Sequence, residues 1–231
     1  MLSYDQQQLL TDHFSQYISD HKKDFIEKVL AERTRYITIV MEDIYQSQNA
    51  SAVVRTCECM GIQDVHIVEN QSRYSVNPKV LKGANKWVEL IRYKDRKVNN
   101  TETCFKALRH KGYRILVADP SPECIPLNEI SVDEKLAIVM GNELKGTSGY
   151  ALDHADEKVR IPMVGFTESM NISVSAAICL NTLVTKVRES EMDWSLSAEE
   201  RGEIRLTWYR KVVRRSELIE REFFSRLASK S

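Results

Sequence analysis

The sequence predicts an α/β fold, a mostly parallel sheet covered by helices on both faces, with helical extensions at its N- and C-terminal ends. Three observations lead there. Six short β-rich runs alternate with segments of helical composition, the pattern that builds a parallel sheet. Hydrophobic residues make up 42% and charged residues 29% of the 231 positions, which suffices to bury a core at this length. The stretches before residue 36 and after residue 190 carry helical periodicity alone.

From Asp5 to Arg35 the apolar positions Leu9, Leu10, Phe14, Tyr17, Ile18, Phe25, Ile26, Val29 and Leu30 recur at helical spacing, predicting two helices with a break within 19–22. The period then shortens. Strands are predicted at 36–41, 65–68, 88–91, 113–118, 136–140 and 159–161, with helices between them at 50–60, 101–111 and 149–155. A longer helix follows from 172 to 188. Residues 192–197 interrupt the pattern, and a single last helix is predicted from 198 to about 227. The expected domains are an N-terminal helical extension at 1–35, an α/β domain at 36–190 and a C-terminal helical extension at 191–231.

Several classes are set aside by what is missing. No apolar run approaches the roughly 18–20 residues that cross a bilayer. The first twenty residues lack a basic segment followed by an apolar stretch and a small-residue cleavage site, so a cytoplasmic location is expected. Cys57, Cys59, Cys104, Cys124 and Cys179 are odd in number and scattered, which reads as reduced thiols. None of the eight glycines is spaced as G-x-G, so the turn of a nicotinamide or flavin Rossmann unit is absent, as is that of a Rossmann-type methyltransferase. Gly141 and Gly146 have P-loop spacing, but Thr147 and Ser148 follow where Lys-Ser/Thr belongs, so the phosphate-binding Lys is lacking. Cys57-Glu58-Cys59 has no second pair at zinc spacing and is read as buried, inert thiols. His13, His21, His66, His110 and His154 fall on ordinary helix or strand positions.

Three polar stretches remain beside core strands, where open α/β sheets gather their ligands. The first is Asn49-Ala50-Ser51-Ala52-Val53-Val54-Arg55-Thr56. The second is Val139-Met140-Gly141-Asn142-Glu143-Leu144-Lys145-Gly146. The third is Ile161-Pro162-Met163-Val164-Gly165, then Ser169-Met170-Asn171-Ile172-Ser173-Val174-Ser175. This last loop exposes Met163, Gly165 and Met170 before a helix of small residues, which permits close approach of backbone to a planar heterocycle. Taken alone, Asn49, Ser169 and Asn171 suit helix capping, Arg55 a surface ion pair and Glu143 an exposed loop carboxylate.

In this order and spacing the three stretches resemble the motifs of the SpoU/TrmH family of RNA ribose 2′-O-methyltransferases, of the knotted SPOUT superfamily. The resemblance spans roughly residues 37–188, and Met170 stands where the family usually has Leu, a swap of similar volume. Met41-Glu42-Asp43-Ile44, Gly83-Ala84-Asn85-Lys86-Trp87 and the extensions at both ends look like the members that methylate guanosine 18 in the tRNA D-loop. The resemblance implies a deep trefoil knot, which no periodicity predicts and whose rarity favours an unknotted doubly wound sheet. It implies S-adenosylmethionine as methyl donor, held near Ala118, Met140, Gly141, Asn142 and Gly146, and near Ile161, Met163, Met170 and Ser175. It makes Asn49, Arg55, Glu143, Ser169 and Asn171 the catalytic set, with Arg55 central and Glu143 organising its loop, and it implies a homodimer and no metal.

The balance of 33 positive and 33 negative residues does not exclude RNA, because attraction can be local. Arg201, Arg205, Arg210, Lys211, Arg214 and Arg215 face only Glu203 within their segment and are interleaved with Trp208 and Tyr209, a candidate RNA-gripping surface. Its bland alternative is an amphipathic helix packing Leu206, Val212 and Val213. Lys22, Lys23, Lys28, Arg33 and Arg35 form a weaker basic set. The function expected is 2′-O-methylation of guanosine 18 in tRNA. Methylation of rRNA or of another tRNA position, or a non-catalytic RNA-binding role, are the alternatives.

Overall fold

In the computed structural model, which describes residues 2–228, the chain forms two compact units. Residues 2–33 and 195–228 make one, and Thr34–Trp194 the other. The two extensions, at opposite ends of the chain, are thus parts of one helical unit.

That unit opens with α1 (Tyr4–Ser15) and α2 (Asp20–Ala31). Ser3 and Gln6 close a reciprocal capping box at the start of α1. The expected single C-terminal helix is two, α8 (Ala198–Val212) and α9 (Ser216–Ala228). The break lies at Val213, which is extended, and at Arg215, whose φ of 58° is left-handed. Hydrophobic spacing continues across it and so hides it. Leu10, Phe14, Ile26, Leu30, Ile204, Leu206, Trp208 and Tyr209 are all buried, and the guanidinium of buried Arg33 lies 5.3 Å from the Trp208 ring centroid.

The larger unit carries β1 (Ile37–Glu42), α3 (Ser47–Cys59), β2 (Asp64–Val68), the short α4 (Pro78–Leu81), β3 (Glu89–Tyr93), α5 (Asn100–His110) and β4 (Tyr113–Ala118). It continues with β5 (Ile125–Pro126), β6 (Lys135–Met140), α6 (Gly149–His154), β7 (Glu157–Arg160) and α7 (Ile172–Glu189). The strands form one parallel sheet in the order β3-β2-β1-β6-β4-β7-β5. The two-residue β5 and the single-turn α4 were not expected from the sequence.

Alternation along the central strands feeds two apolar layers. Ile37, Ile39 and Met41 of β1 and Leu136, Ile138 and Met140 of β6 join one cluster with residues of α3 and α7. Val40, Ala137 and Val139 join the other, under α5 and α6. Burial of β1 on both faces is what reads in the sequence as a continuous apolar run. Met41 pairs with Met140, Val139 with Val117, and Val159 with Ala118, so the loops after β1, β6, β4 and β7 leave the same end of the sheet. Among the described residues no helix is long and apolar enough to cross a membrane. All five cysteines are free; Cys59 is exposed, against the expectation of burial, because its position on α3 faces away from the core.

Candidate functional site

Those converging loops enclose a cavity of about 720 Å³. It falls within the range of roughly 300–1,000 Å³ usual for small-molecule sites. All three polar stretches contribute to its walls. Asn49, Glu143, Ser169 and Asn171 line it, as do Ala118, Met140, Gly141, Asn142 and Gly146. Ile161, Met163, Met170 and Ser175 complete the residues expected there.

The loop after β6 is a tight structure. Asn142 and Gly146 exchange backbone hydrogen bonds of 2.8 and 2.9 Å, and the Asn142 side chain accepts from the N–H groups of Leu144 and Lys145. Its Nδ2 donates to the Asp43 carbonyl at 2.7 Å, tying the loop to the end of β1. Gly141 is required here, since a Cβ would lie 2.3 Å from the Thr147 amide nitrogen and 2.4 Å from the Gly146 carbonyl carbon. Of the glycine pair that resembles a P-loop, Gly141 therefore serves close backbone packing and Gly146 turns the chain at a left-handed φ of 70°.

Glu143 organises more than its own loop. Its carboxylate accepts from the backbone N–H groups of Tyr45 (2.9 Å) and Gln46 (3.1 Å) and from Asn49 Nδ2 (2.9 Å). Gln46 is the N-cap of α3 and makes no side-chain cap, so Glu143 supplies, from about a hundred residues away, acceptors that the helix start lacks. Partial burial raises the Glu143 pKa, but the bonds from Asn49, Tyr45 and Gln46 outweigh it and hold the carboxyl below its ordinary value. Asn49 is accordingly not the cap that its sequence position suggests; it sits inside the first turn, buried, with its Oδ1 accepting from Asn171 Nδ2 at 3.2 Å. Asn171 caps α7 through Ser173. One continuous line, Glu143 to Asn49 to Asn171, thus joins one residue from each stretch.

Arg55 is the exception. Six residues beyond Asn49 on α3, it points about 240° around the helix axis, is exposed, and donates Nη1 to the Val80 carbonyl at 3.4 Å. It does not line its own chain's cavity.

The structure adds supports that spacing did not single out. Glu42, at the end of β1 and 2% exposed, accepts from Ser148 N (2.8 Å), Ser148 Oγ (2.7 Å) and Thr101 Oγ1 (2.5 Å). Thr147 donates its hydroxyl to the Ala118 carbonyl at 3.4 Å. Their signals were the flanking Met41-Glu42-Asp43-Ile44 and the failed P-loop ending Thr147-Ser148. Among the described residues no group of three His, Cys, Asp or Glu side chains is arranged to hold a metal ion.

In the helical unit the expected RNA-gripping surface is altered. Arg205 donates Nε and Nη2 to Glu27 at 2.5 and 2.7 Å, and Arg210 donates likewise to Glu220 at 2.8 and 2.7 Å. Trp208 and Tyr209 are core residues, unable to stack on a base from where they stand. Arg201, Lys211, Arg214 and Arg215 are exposed. Of the weaker basic set, Arg33 is buried and Arg35 bonds Asp64 and Glu89.

Residues 36–181 match the SpoU rRNA Methylase family. A tRNA (guanosine(18)-2′-O)-methyltransferase of Borreliella burgdorferi is 43% identical over 206 residues, 89% of this chain and 92% of that one. The crystal structure of the TrmH/SpoU tRNA modifying enzyme of A. aeolicus superimposes with a TM-score of 0.74 at 27% identity, covering 85% of this chain and 98% of that one. The SpoU methyltransferase AviRb of Streptomyces viridochromogenes, solved in complex with the cofactor AdoMet, shares the fold at a TM-score of 0.59 and 17% identity, over 71% and 62% of the two chains.

Proposed function

Because the chain belongs to the SpoU rRNA Methylase family, we propose that it transfers a methyl group from S-adenosylmethionine to the ribose 2′-hydroxyl of guanosine 18 in tRNA. The observation that carries this reading is the single cavity in which Asn49, Glu143 and Asn171, one from each stretch, are hydrogen-bonded in line. The relative of that activity, matched over nine tenths of both chains, supports the substrate.

The residues present fit the methyl donor. Met140, Ile161, Met163 and Met170 offer apolar walls to an adenine, while Ala118, Gly141, Asn142, Gly146 and Ser175 bring backbone and small side chains close. When bound, the cofactor supplies a methyl group already activated on a sulfonium, so the protein's task is alignment. Glu143 fixes the start of α3, and through it Asn49 and Asn171 present their amides at the cavity wall. Ser169 adds a hydroxyl there. Arg55 binds the phosphate beside the target ribose with its planar fork and orients the hydroxyl; a guanidinium does not give up its proton in proteins, so Arg55 is not the base.

The position of Arg55 outside its own cavity supports a homodimer in which the second copy completes the site. Leu144 at the cavity wall and Val164 and Phe166 in the loop after β7 are almost fully exposed, which suits a surface covered by that copy. The placement of β6 between β1 and β4, with α7 returning to pack on α3, supports the deep trefoil knot of the family. Arg201, Arg214 and Arg215, all exposed, face RNA phosphates. The enzyme works where its tRNA is, in the cytoplasm.

Unmodified tRNA and rRNA transcripts incubated with methyl-labelled S-adenosylmethionine test this. Label is expected in tRNA; label confined to rRNA overturns the substrate, and label in neither overturns the activity. Arg55→Lys, which keeps charge but loses the fork, is expected to lower turnover at least about 100-fold while cofactor binding stays as in the wild type. Near-normal turnover would remove Arg55 from its role.

A further inference from the structure

The segment 71–87, between β2 and β3, holds Arg73, Lys79, Lys82 and Lys86 and no acidic residue. All four are exposed, whereas Leu81 and Ala84 between them are buried in the sheet's apolar layer. The segment is held at several points. Asp43 Oδ1 accepts from the N–H groups of Asn70, Gln71 and Ser72 at 2.7 to 3.0 Å. Ser51 Oγ on α3 accepts from Asn77 N at 2.7 Å, and Asn77 with Pro78 starts α4. Lys82 itself ends that turn at φ 52°, a left-handed position more at ease with glycine, and Gly83 follows at φ 83°.

Of two neighbours of this segment, one lines the cavity and the other is Arg55, assigned above to a site that a second copy completes. Lys145, in the cavity wall, donates Nζ to Gln71 Oε1 at 2.9 Å, and Arg55 donates to the Val80 carbonyl. From this juxtaposition we infer that 71–87 is a preorganised phosphate-binding surface which carries the RNA backbone from the cavity edge past Arg55, with Lys79 and Lys82 as its principal contacts. The inference rests on the proposed RNA substrate. RNA suits this surface because phosphate binding needs spaced, exposed cations on a fixed backbone and no sequence readout.

The test is tRNA binding by the full-length protein over a range of salt concentrations, comparing wild type with Lys79→Gln/Lys82→Gln and Lys79→Arg/Lys82→Arg. Loss of two phosphate contacts is expected to weaken binding about tenfold and to lower the slope of log affinity against log salt by roughly 1.4–1.8. The arginine variant should bind as the wild type does, and S-adenosylhomocysteine should bind all three alike, showing an intact fold. An unchanged slope in the glutamine variant overturns the inference, as does equal loss in the arginine variant, which would mark a structural role. Both results leave methyl transfer by the wild type standing, whereas a wild type that methylates no RNA overturns the functional reading itself. Weaker binding to an acidic protein or anionic vesicle, with RNA binding untouched, also overturns the assignment to RNA.

Discussion

The carboxylates at the cavity of the sheet unit and those that hold Arg205 and Arg210 in the helical unit act in opposite ways. In the helical unit Glu27 and Glu220 each grip an arginine through two hydrogen bonds, so basic residues that a sequence count assigns to RNA are neutralised within the protein. In the sheet unit Glu143 and Glu42 take N–H and O–H donors from distant elements and leave the cations of α3 and the 71–87 segment outside. The first arrangement ties α8 to α2 and α9; the second builds a cavity and spares positive charge for a polyanion. Charge available to RNA thus depends on pairing in the fold, and only loosely on composition.

The largest break in this contrast is expected at Gly141. Gly141→Ala places a methyl against backbone atoms at 2.3 and 2.4 Å, which must displace the loop that holds Glu143. A shift of that size is expected to weaken S-adenosylmethionine binding on the order of 100-fold, measured by calorimetry. Near-wild-type affinity would mean that the loop adjusts without cost.

Acid sensitivity should also belong to the sheet unit. His66 of β2, buried with Nδ1 against the Tyr93 hydroxyl at 3.0 Å, is held at a pKa of about 4 by burial and by the Lys111 charge. The unfolded chain, with a histidine near 6.5, binds this proton first, so stability is full above about pH 6.5 and falls as pH drops toward 4. Urea unfolding is expected to show a loss of about 2 kcal/mol between pH 7.5 and pH 5, which His66→Gln flattens. The contribution of Glu143 carries the same sign but disappears only below the ordinary carboxylate range. An unflattened profile would place the sensitivity elsewhere.

Glu143→Gln keeps one acceptor for the several donors at the start of α3. It is expected to cost about 1.5 kcal/mol in urea unfolding and to reduce turnover through Asn49 and Asn171. A stability loss without a change in turnover would separate the cap from the site. The smallest effect is expected at the half-exposed pair in the other unit, where Arg205→Ala should cost at most about 1 kcal/mol and barely alter the salt dependence of tRNA binding. A steep change there would show that RNA competes for Arg205.

Much of this was legible in the sequence. The strands are apolar because parallel sheets are covered on both faces, and the cavity residues follow strands because ligands collect there. What escaped depends on distance or pairing. No spacing rule brings Glu143 to Tyr45, Gln46 and Asn49, some 94–98 positions away. The turn at Arg215 is invisible because arginine does not announce a left-handed backbone. Arg205 and Arg210 looked available because their partners lie on α2 and α9. The resemblance marks Gly83-Ala84-Asn85-Lys86-Trp87 within segment 71–87, but the charge of that segment is hidden because its four cations are spread over seventeen positions that otherwise read as loop.

The most direct measurement uses two tRNA transcripts that differ by one oxygen, one with guanosine and one with 2′-deoxyguanosine at position 18. Labelled methyl from S-adenosylmethionine is expected to enter the first and not the second, with the mark mapping to the ribose of that nucleotide. Equal labelling of both transcripts would contradict the assignment of reaction and position together.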